Sequence, residues 1–183
     1  AVILATPHSL HAQQIEDSVA AGKHIFCEKP LALTRAGAEK AVNACAAKNL
    51  VLGMGHERRW EPPVADMIAK AKSGALGRLL QVEANFSHDK FVTLAADNWR
   101  LNPAEAPVGG MTATGIHLTD LSTLLFGPAR DVRVSCEKLA SNIPQGDTMS
   151  AHIRFRNGGT AYVSATLATP FISRFAVFGT SGW

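Results

Sequence analysis

The first 55 residues alternate short apolar runs with helical patterns, and that alternation leaves few folds open. Val2–Ala5, His24–Cys27 and Leu50–Gly53 are too short for helices and read as buried strands. Between them, His8–Ala21 places Ile15, Val19 and Ala20 on one helical face. Thr34–Lys48 does the same with Ala38, Ala41, Val42 and Cys45. Thr34 is suited to cap the second helix, and Gly22 and Asn49 stand where the helices should stop. Strand–helix units of this length predict a parallel sheet, and right-handed crossovers put all three strand ends on one edge. Thr6-Pro7-His8, Glu28-Lys29-Pro30 and Gly55-His56-Glu57-Arg58 follow those ends. Three polar loops therefore converge on the rim where open α/β sheets bind ligands.

The pattern changes after residues 55–62, so we expect residues 1–55 and 56–183 to form separate domains. A helix is predicted over Pro63–Ser73 and a strand over Leu79–Phe86. His88–Pro107 is polar, irregular and long enough to be a functional loop. A further helix is predicted over Met111–Phe126, closed by Gly127-Pro128. Four strand candidates follow: Val132–Leu139, Ala151–Arg156, Thr160–Ala168 and Phe171–Phe178. Asn157-Gly158 signals a type I′ hairpin between the second and third of these. Their alternation puts Ile153, Phe155, Ala161, Val163 and Leu167 on one face. His152, Arg154, Tyr162, Ser164 and Thr166 fall on the other. The expected architecture is α/β followed by α+β, with an open antiparallel sheet whose second face is either solvated or packed on another subunit.

Composition excludes several function classes. A hydrophobic fraction of 46% and a charged fraction of 18% are those of an ordinary globular chain. The net charge of +3 comes from dispersed Lys and Arg, with no basic stripe to bind nucleic acid. Cys27, Cys45 and Cys136 are far apart and odd in number, which argues against a zinc site or a disulfide framework and makes a reducing cytoplasm the default compartment. No apolar run approaches the roughly 20 residues of a membrane span. The chain begins without Met in a buried-type run and stops soon after a strand pattern, so we expect an internal piece of a longer protein.

Two constellations carry chemistry. In Glu28-Lys29-Pro30, a carboxylate, an ammonium group and a ring-locked residue stand together at a strand end. That is either a chemical site or a solvated turn with an incidental ion pair. The second is Gly109-Gly110-Met111-Thr112-Ala113-Thr114-Gly115-Ile116-His117-Leu118-Thr119-Asp120. Its glycines allow close backbone approach to a ligand. His117 and Asp120 share a helix face, so the carboxylate can orient the imidazole as a general base. The residues alone favour the plainer alternative, a buried histidine satisfied by its neighbour. His8 and His11 read as loop residues rather than zinc ligands. Ser9 and Cys27 lack a partner for covalent catalysis.

Together these pieces resemble the Gfo/Idh/MocA family, the nicotinamide-dependent sugar, inositol and diol dehydrogenases. The resemblance spans essentially the whole chain. It rests on Thr6-Pro7 with His11, Glu28-Lys29-Pro30-Leu31, Gly55-His56-Glu57-Arg58-Arg59-Trp60, Gly74-Ala75-Leu76-Gly77-Arg78, Trp99-Arg100, and Gly109-Gly110 through Gly115-Ile116-His117 to Asp120. It implies the end of a Rossmann-type parallel sheet followed by a domain with a large, mainly antiparallel open sheet. It also implies NAD or NADP as cofactor, a small-molecule substrate, and homo-oligomers formed through the open sheet face. Lys29 and His117 take the catalytic roles. Thr6, Pro7, His11, Glu28, Lys29, Pro30 and Arg58 fall on the cofactor side. Lys29, Trp99, Arg100, His117 and Asp120 fall on the substrate side, with Trp99 equally readable as a packing anchor. The resemblance also implies a cis Lys29–Pro30 peptide.

Two departures matter. Many dehydrogenases of the family carry Asp four residues before the histidine, and here that position is Ala113. Asp120 is the candidate replacement. The change casts doubt on inositol-type specificity and keeps open a dinucleotide-sensing or regulatory protein without redox activity. The family's glycine-rich phosphate loop would lie upstream of Ala1, so this polypeptide alone is expected to bind NAD(P) weakly or not at all.

Overall fold

A computed structural model describes all residues from Ala1 to Trp183. The chain divides into two units, Ala1–His56 and Glu57–Trp183.

The first unit runs β1 (Val2–Leu4), a 3-10 turn (His8–Leu10), α1 (His11–Ala20), β2 (Ile25–Cys27), α2 (Arg35–Ala47) and β3 (Leu52–Met54). The strands form one parallel sheet in the order β1-β2-β3, with Val2 opposite Ile25 and Ile25 opposite Leu52. Parallel strands adjacent in chain order are the arrangement of one half of a doubly wound sheet. The expected caps are present. Thr34 Oγ1 accepts a hydrogen bond from Gly37 N at 3.1 Å, and Gly22 and Asn49 both have positive φ. Ile15, Val19, Ala41 and Cys45 pack with Leu4, Ile25 and Cys27 to form the unit's core. Val42 departs from expectation and is half exposed, because Ala41 and Cys45 already fill the narrow stripe that α2 buries. Ile3 and Phe26, on the other face of the sheet, are also exposed.

The second unit begins with a 3-10 turn (Glu57–Trp60) and α3 (Pro62–Lys72), followed by β4 (Leu79–Ser87). The long segment after β4 contains a single 3-10 turn, Trp99–Leu101. A wide π-type turn (Met111–Gly115) then leads into α4 (Ile116–Phe126). The chain finishes with β5 (Ala129–Glu137), β6 (Thr148–Phe155), β7 (Thr160–Thr166) and β8 (Ile172–Gly179). The five strands lie in the order β5-β6-β7-β4-β8. All neighbours are antiparallel except β4 and β7, which run parallel with Gln81 opposite Thr160.

The inward face is the expected one. Ile153, Phe155, Ala161 and Val163 are buried with Val82, Ala84 and Val177, and Leu118 and Phe126 of α4 join them. The opposite face carries Glu83, Asn85, His152, Tyr162, Ser164 and Arg174 around a groove of about 560 Å³.

The β6–β7 connection differs from the type I′ expectation. Asn157 does not adopt positive φ, whereas Gly158 does, at 97°. Gly158 N donates to Phe155 O at 3.1 Å and Phe155 N to Gly159 O at 2.9 Å. This is the longer hairpin in which an ordinary turn is followed by a left-handed glycine. Gly159 lets that turn pass against the core, since a Cβ there would lie 2.2 Å from the Phe126 ring.

Candidate functional site

In the first unit, the parallel register puts the loops after β1, β2 and β3 at one edge. Ladder bonds continue into them: Glu28 N donates to Leu4 O at 2.8 Å and Gly55 N to Cys27 O at 2.8 Å. The Lys29–Pro30 peptide is cis, as expected. Beneath the loops, the His11 ring is completely buried. Its Nδ1 lies 2.7 Å from Pro30 O and its Nε2 3.0 Å from Thr6 O. His11 thus holds the first loop to the second, which is a positioning task. Thr6 Oγ1 donates to Gln14 Oε1 at 2.6 Å.

The Glu28 carboxylate lies over Gly55, where a Cβ would come within 2.8 Å of Oε1. Glu28 Oε2 also accepts a hydrogen bond from Lys29 N at 3.2 Å. Thr6, Pro7, Glu28, Lys29 and Pro30 are all partly accessible at this edge. Among their groups are one carboxylate, of Glu28, and one ammonium group, of Lys29. A single carboxylate beside an ammonium group suits an uncharged polar ligand better than a metal ion. Cys27, next in the chain, is not a nucleophile. Burial first, and the Glu28 charge second, push its thiol up to about 11.

The second unit assembles its polar groups around α4. His117 is buried and its ring meets Phe86 at a centroid distance of 6.1 Å. Glu57 Oε2 stands 3.8 Å from His117 Nδ1. Asp120 instead receives both arms of a guanidinium, from Arg59 Nε at 2.7 Å and Arg59 Nη2 at 2.5 Å. The shared helix face predicted by the three-residue spacing is real, but the fork geometry of arginine claims both carboxylate oxygens. Neither Arg59 nor Glu57 stood out from sequence. The only available signal was their place in the Gly55–Trp60 motif.

Arg58, expected on the cofactor side, is packed within its own unit. Its guanidinium lies 3.7 Å above the Phe86 ring and donates from Nη1 to Ser173 Oγ at 3.0 Å. Trp99 and Arg100 occupy a short turn capped by Asn98, with the Arg100 guanidinium 4.3 Å from the Trp99 ring centroid. Gln145 Nε2 donates to Arg100 O at 2.8 Å, tying this loop to the segment before β6. The glycines ahead of α4 allow close packing within the unit. A Cβ on Gly109 would lie 2.5 Å from Gly146 O, and one on Gly110 3.0 Å from Ala165 O. They let the π-type turn lie directly on the sheet. Turns of that type are frequent at functional sites.

A parallel-sheet unit with a polar rim, followed by a large open-sheet unit with a buried histidine, is the make-up of a Rossmann-type protein with a second domain. The comparisons make this specific: the chain belongs to the Gfo/Idh/MocA oxidoreductases. Residues 1–56 match the oxidoreductase family with NAD-binding Rossmann fold, and residues 64–183 match the GFO/IDH/MocA C-terminal domain. The chain is 32% identical to 1,5-anhydro-D-fructose reductase of Ensifer adhaerens, over all of this chain (100%) and 55% of that protein. A levoglucosan dehydrogenase solved with NADH and levoglucosan superposes with a TM-score of 0.87 at 29% identity, covering 98% of this chain and 51% of that one. The WlbA dehydrogenase of Bordetella pertussis, solved with NADH and UDP-GlcNAcA, gives 0.85 at 26% identity, covering 97% and 55%. The chain spans about half the length of the relatives it matches. No helix is long and apolar enough to cross a membrane.

Proposed function

We propose that the protein is an NAD(P)-dependent oxidoreductase acting on the carbinol or carbonyl carbon of a sugar, cyclitol or dihydrodiol. The observation that carries this reading is the Glu28-Lys29-Pro30 loop, held at the ligand-binding edge of a parallel sheet that matches an NAD-binding family. The nicotinamide ring, when bound, takes or gives the hydride. Lys29 places an ammonium group where charge develops on the reacting oxygen, and a fixed positive charge there stabilises alkoxide character. His117 accepts the hydroxyl proton in the oxidative direction and returns it in reduction. Thr6, Pro7, Glu28 and Pro30 line the cofactor side, and His11 keeps the loops in place. Trp99 and Arg100 bound the substrate side. Relatives acting on anhydrosugars support a polyhydroxylated substrate of that general kind.

The test is direct. Intact protein mixed with NAD or NADP and a panel of sugars, anhydrosugars, cyclitols and diols should change absorbance at ~340 nm, the nicotinamide band that reports hydride transfer. Silence across the panel with both cofactors, in protein shown to bind NAD(H) or NADP(H), would favour the second reading. In that reading, suggested by Ala113, the scaffold senses a dinucleotide without turning it over.

We also propose that the open face of the five-stranded sheet packs against a second copy. Tyr162 stacks on His152 at 4.6 Å and is half exposed on that face. An exposed aromatic pair flanked by polar residues suits a subunit contact. Tyr162→Glu should lower the sedimentation coefficient of intact protein to that of a smaller species. An identical value would rule this face out.

A further inference from the structure

Gln145 lies in the connection between β5 and β6 and bonds to two other segments of the same unit. Its Nε2 donates to Arg100 O at 2.8 Å, across forty-five positions of chain. Its main-chain oxygen accepts from Gly109 N at 3.4 Å, just ahead of the π-type turn that leads to His117. We propose that Gln145 is the positioning residue for the substrate side of the site, its buried amide fixing the Trp99–Arg100 turn relative to the turn that carries the chain into α4. The consequence for substrate rests on the reading of Trp99 and Arg100 as substrate-side residues; the link between the segments does not.

Three observations carry it. The first is the setting of the amide. Gln145 is only 8% exposed, and its Oε1 is buried and accepts no hydrogen bond from the protein. Donation to Arg100 O is therefore what orients the amide. A buried amide with one arm unmatched costs stability that an apolar side chain of the same size would not, so packing alone gives no reason for a glutamine here.

The second is the firmness of the support. A Cβ on Gly109 would lie 3.1 Å from Gln145 Cγ, so the two segments are in close contact. Two residues further on, the Asp147 carboxylate gathers the amides of Leu139, Ala140 and Ser141, and Leu167 N donates to Asp147 O at 2.7 Å. A group that positions another must itself be held. The third is the nature of what is held. Asn98 Oδ1 accepts from Arg100 N at 3.0 Å, which shapes the turn from within but does not place it. A cleft of about 370 Å³ opens between the two loops, lined by Phe91, Leu94, Leu101, Ile143 and Pro144. Packing across it is incomplete, and a directional bond counts for more there.

The turn gives this link a chemical consequence. The Arg100 guanidinium lies 4.3 Å from the Trp99 ring centroid, so an aromatic face and a fork of donors are presented together. A sugar or cyclitol ring, apolar on its face and hydroxylated at its rim, matches such a pair. Holding the turn in place beforehand lowers the ordering cost of binding, and that benefit falls on substrate affinity rather than on hydride transfer. Gln145 exchanges no atom in the reaction.

Two measurements on the intact protein test the proposal. Gln145→Met keeps the length of the side chain and removes the amide. Without substrate, hydrogen exchange in peptides covering residues 95–102 should speed up about tenfold, with peptides from β6 and β7 unchanged. Unchanged exchange in the turn overturns the link, and acceleration throughout the sheet overturns it in favour of a general structural role. In steady-state kinetics KM should rise about fivefold with kcat altered less than about twofold. In a protein with Trp99 and Arg100 both replaced by Ala, Gln145→Met should raise KM no further. A full additional rise overturns the claim that Gln145 acts through the turn. Faster exchange with an unchanged KM upholds the link and overturns the substrate-side role of the turn. If the wild type turns over no substrate with either cofactor, the oxidoreductase reading fails, and hydrogen exchange alone decides the link.

Discussion

Replacing Lys29 with Met in the intact protein is expected to lower kcat/KM by about a thousandfold, with the protein still folded. The size of the loss follows from what the ammonium group does. A positive charge fixed beside the reacting oxygen acts on charge that exists only as the C–H bond breaks, so its contribution falls on the transition state rather than on substrate binding. Methionine keeps the length and most of the apolar stem and removes only the charged head. Arginine should not rescue, because its planar fork spreads the charge and cannot occupy the same point.

The stability half of the expectation rests on main-chain contacts. The loop is held by Glu28 N to Leu4 O, by Lys29 N to Glu28 Oε2, and by His11 against Pro30 O and Thr6 O. These contacts survive the substitution. Steady-state kinetics and thermal melts of the same preparations separate the outcomes. Near-normal turnover would reject the role. A large fall in melting temperature would show that the side chain is structural.

The largest stability effect is expected at Asp147, far along the chain from either catalytic candidate. Its side chain is fully buried. One oxygen accepts from Leu139 N at 3.1 Å and Thr148 Oγ1 at 2.9 Å. The other accepts from Ala140 N at 2.9 Å, Ser141 N at 2.7 Å and Ser141 Oγ at 2.9 Å. Burial alone would push the carboxyl upward. The amides of Ala140, Leu139 and Ser141, helped by Thr148, outweigh it and hold the group well below the usual carboxylate range. Asp147→Asn keeps the shape but turns an amide NH₂ toward backbone donors. We expect a loss of about 3 kcal/mol, or roughly 6–12 °C in Tm.

The pH dependence has a definite sign. The folded-state value is depressed, so the unfolded chain binds the proton more readily. The stabilisation is fully present above the ordinary carboxylate value of about 4, and it is lost as the pH falls below that toward the depressed value. The gap between wild type and Asp147→Asn should therefore be constant from about pH 5 to 8 and narrow below about pH 4. Denaturant titrations at several pH values check this. A gap that persists unchanged in acid would mean that the carboxylate charge is not what holds the loop.

Much of the architecture was legible because it is encoded locally. Thr34, Gly22 and Asn49 act within a few residues of themselves, and the predicted cap and stops are found. The two-residue alternation of β6 and β7 fixed which face is buried. The errors arose where a local signal competes with a tertiary one. Asn157-Gly158 suits a two-residue turn. The chain instead uses a longer one, with Arg156 N donating to Pro128 O at 3.1 Å, outside the hairpin. Gly109 and Gly110 have the same composition whether the close neighbour is a ligand or a strand carbonyl. The local geometry of the candidate site was legible at Lys29 and Pro30, the cis peptide included, because their neighbours are adjacent in sequence. Long-range partners of Asp120 and His117 were not. Their partners lie about sixty residues away, and helical spacing shows which residues share a face but not which distant side chain arrives there.

The parallel pairing of β4 with β7 has a bearing on how the protein is made. β4 lies between β7 and β8, and both of those strands come from the last twenty-four residues of the chain. Local turns cannot close that arrangement, and pairing across so long a span is slow because the intervening chain must first be ordered. During synthesis β4 emerges with both hydrogen-bonding edges bare and remains so until β7 and β8 are available. The burden of chaperoning falls on that interval, and the strand that ends up inside the sheet is the one most exposed to mispairing before the sheet exists.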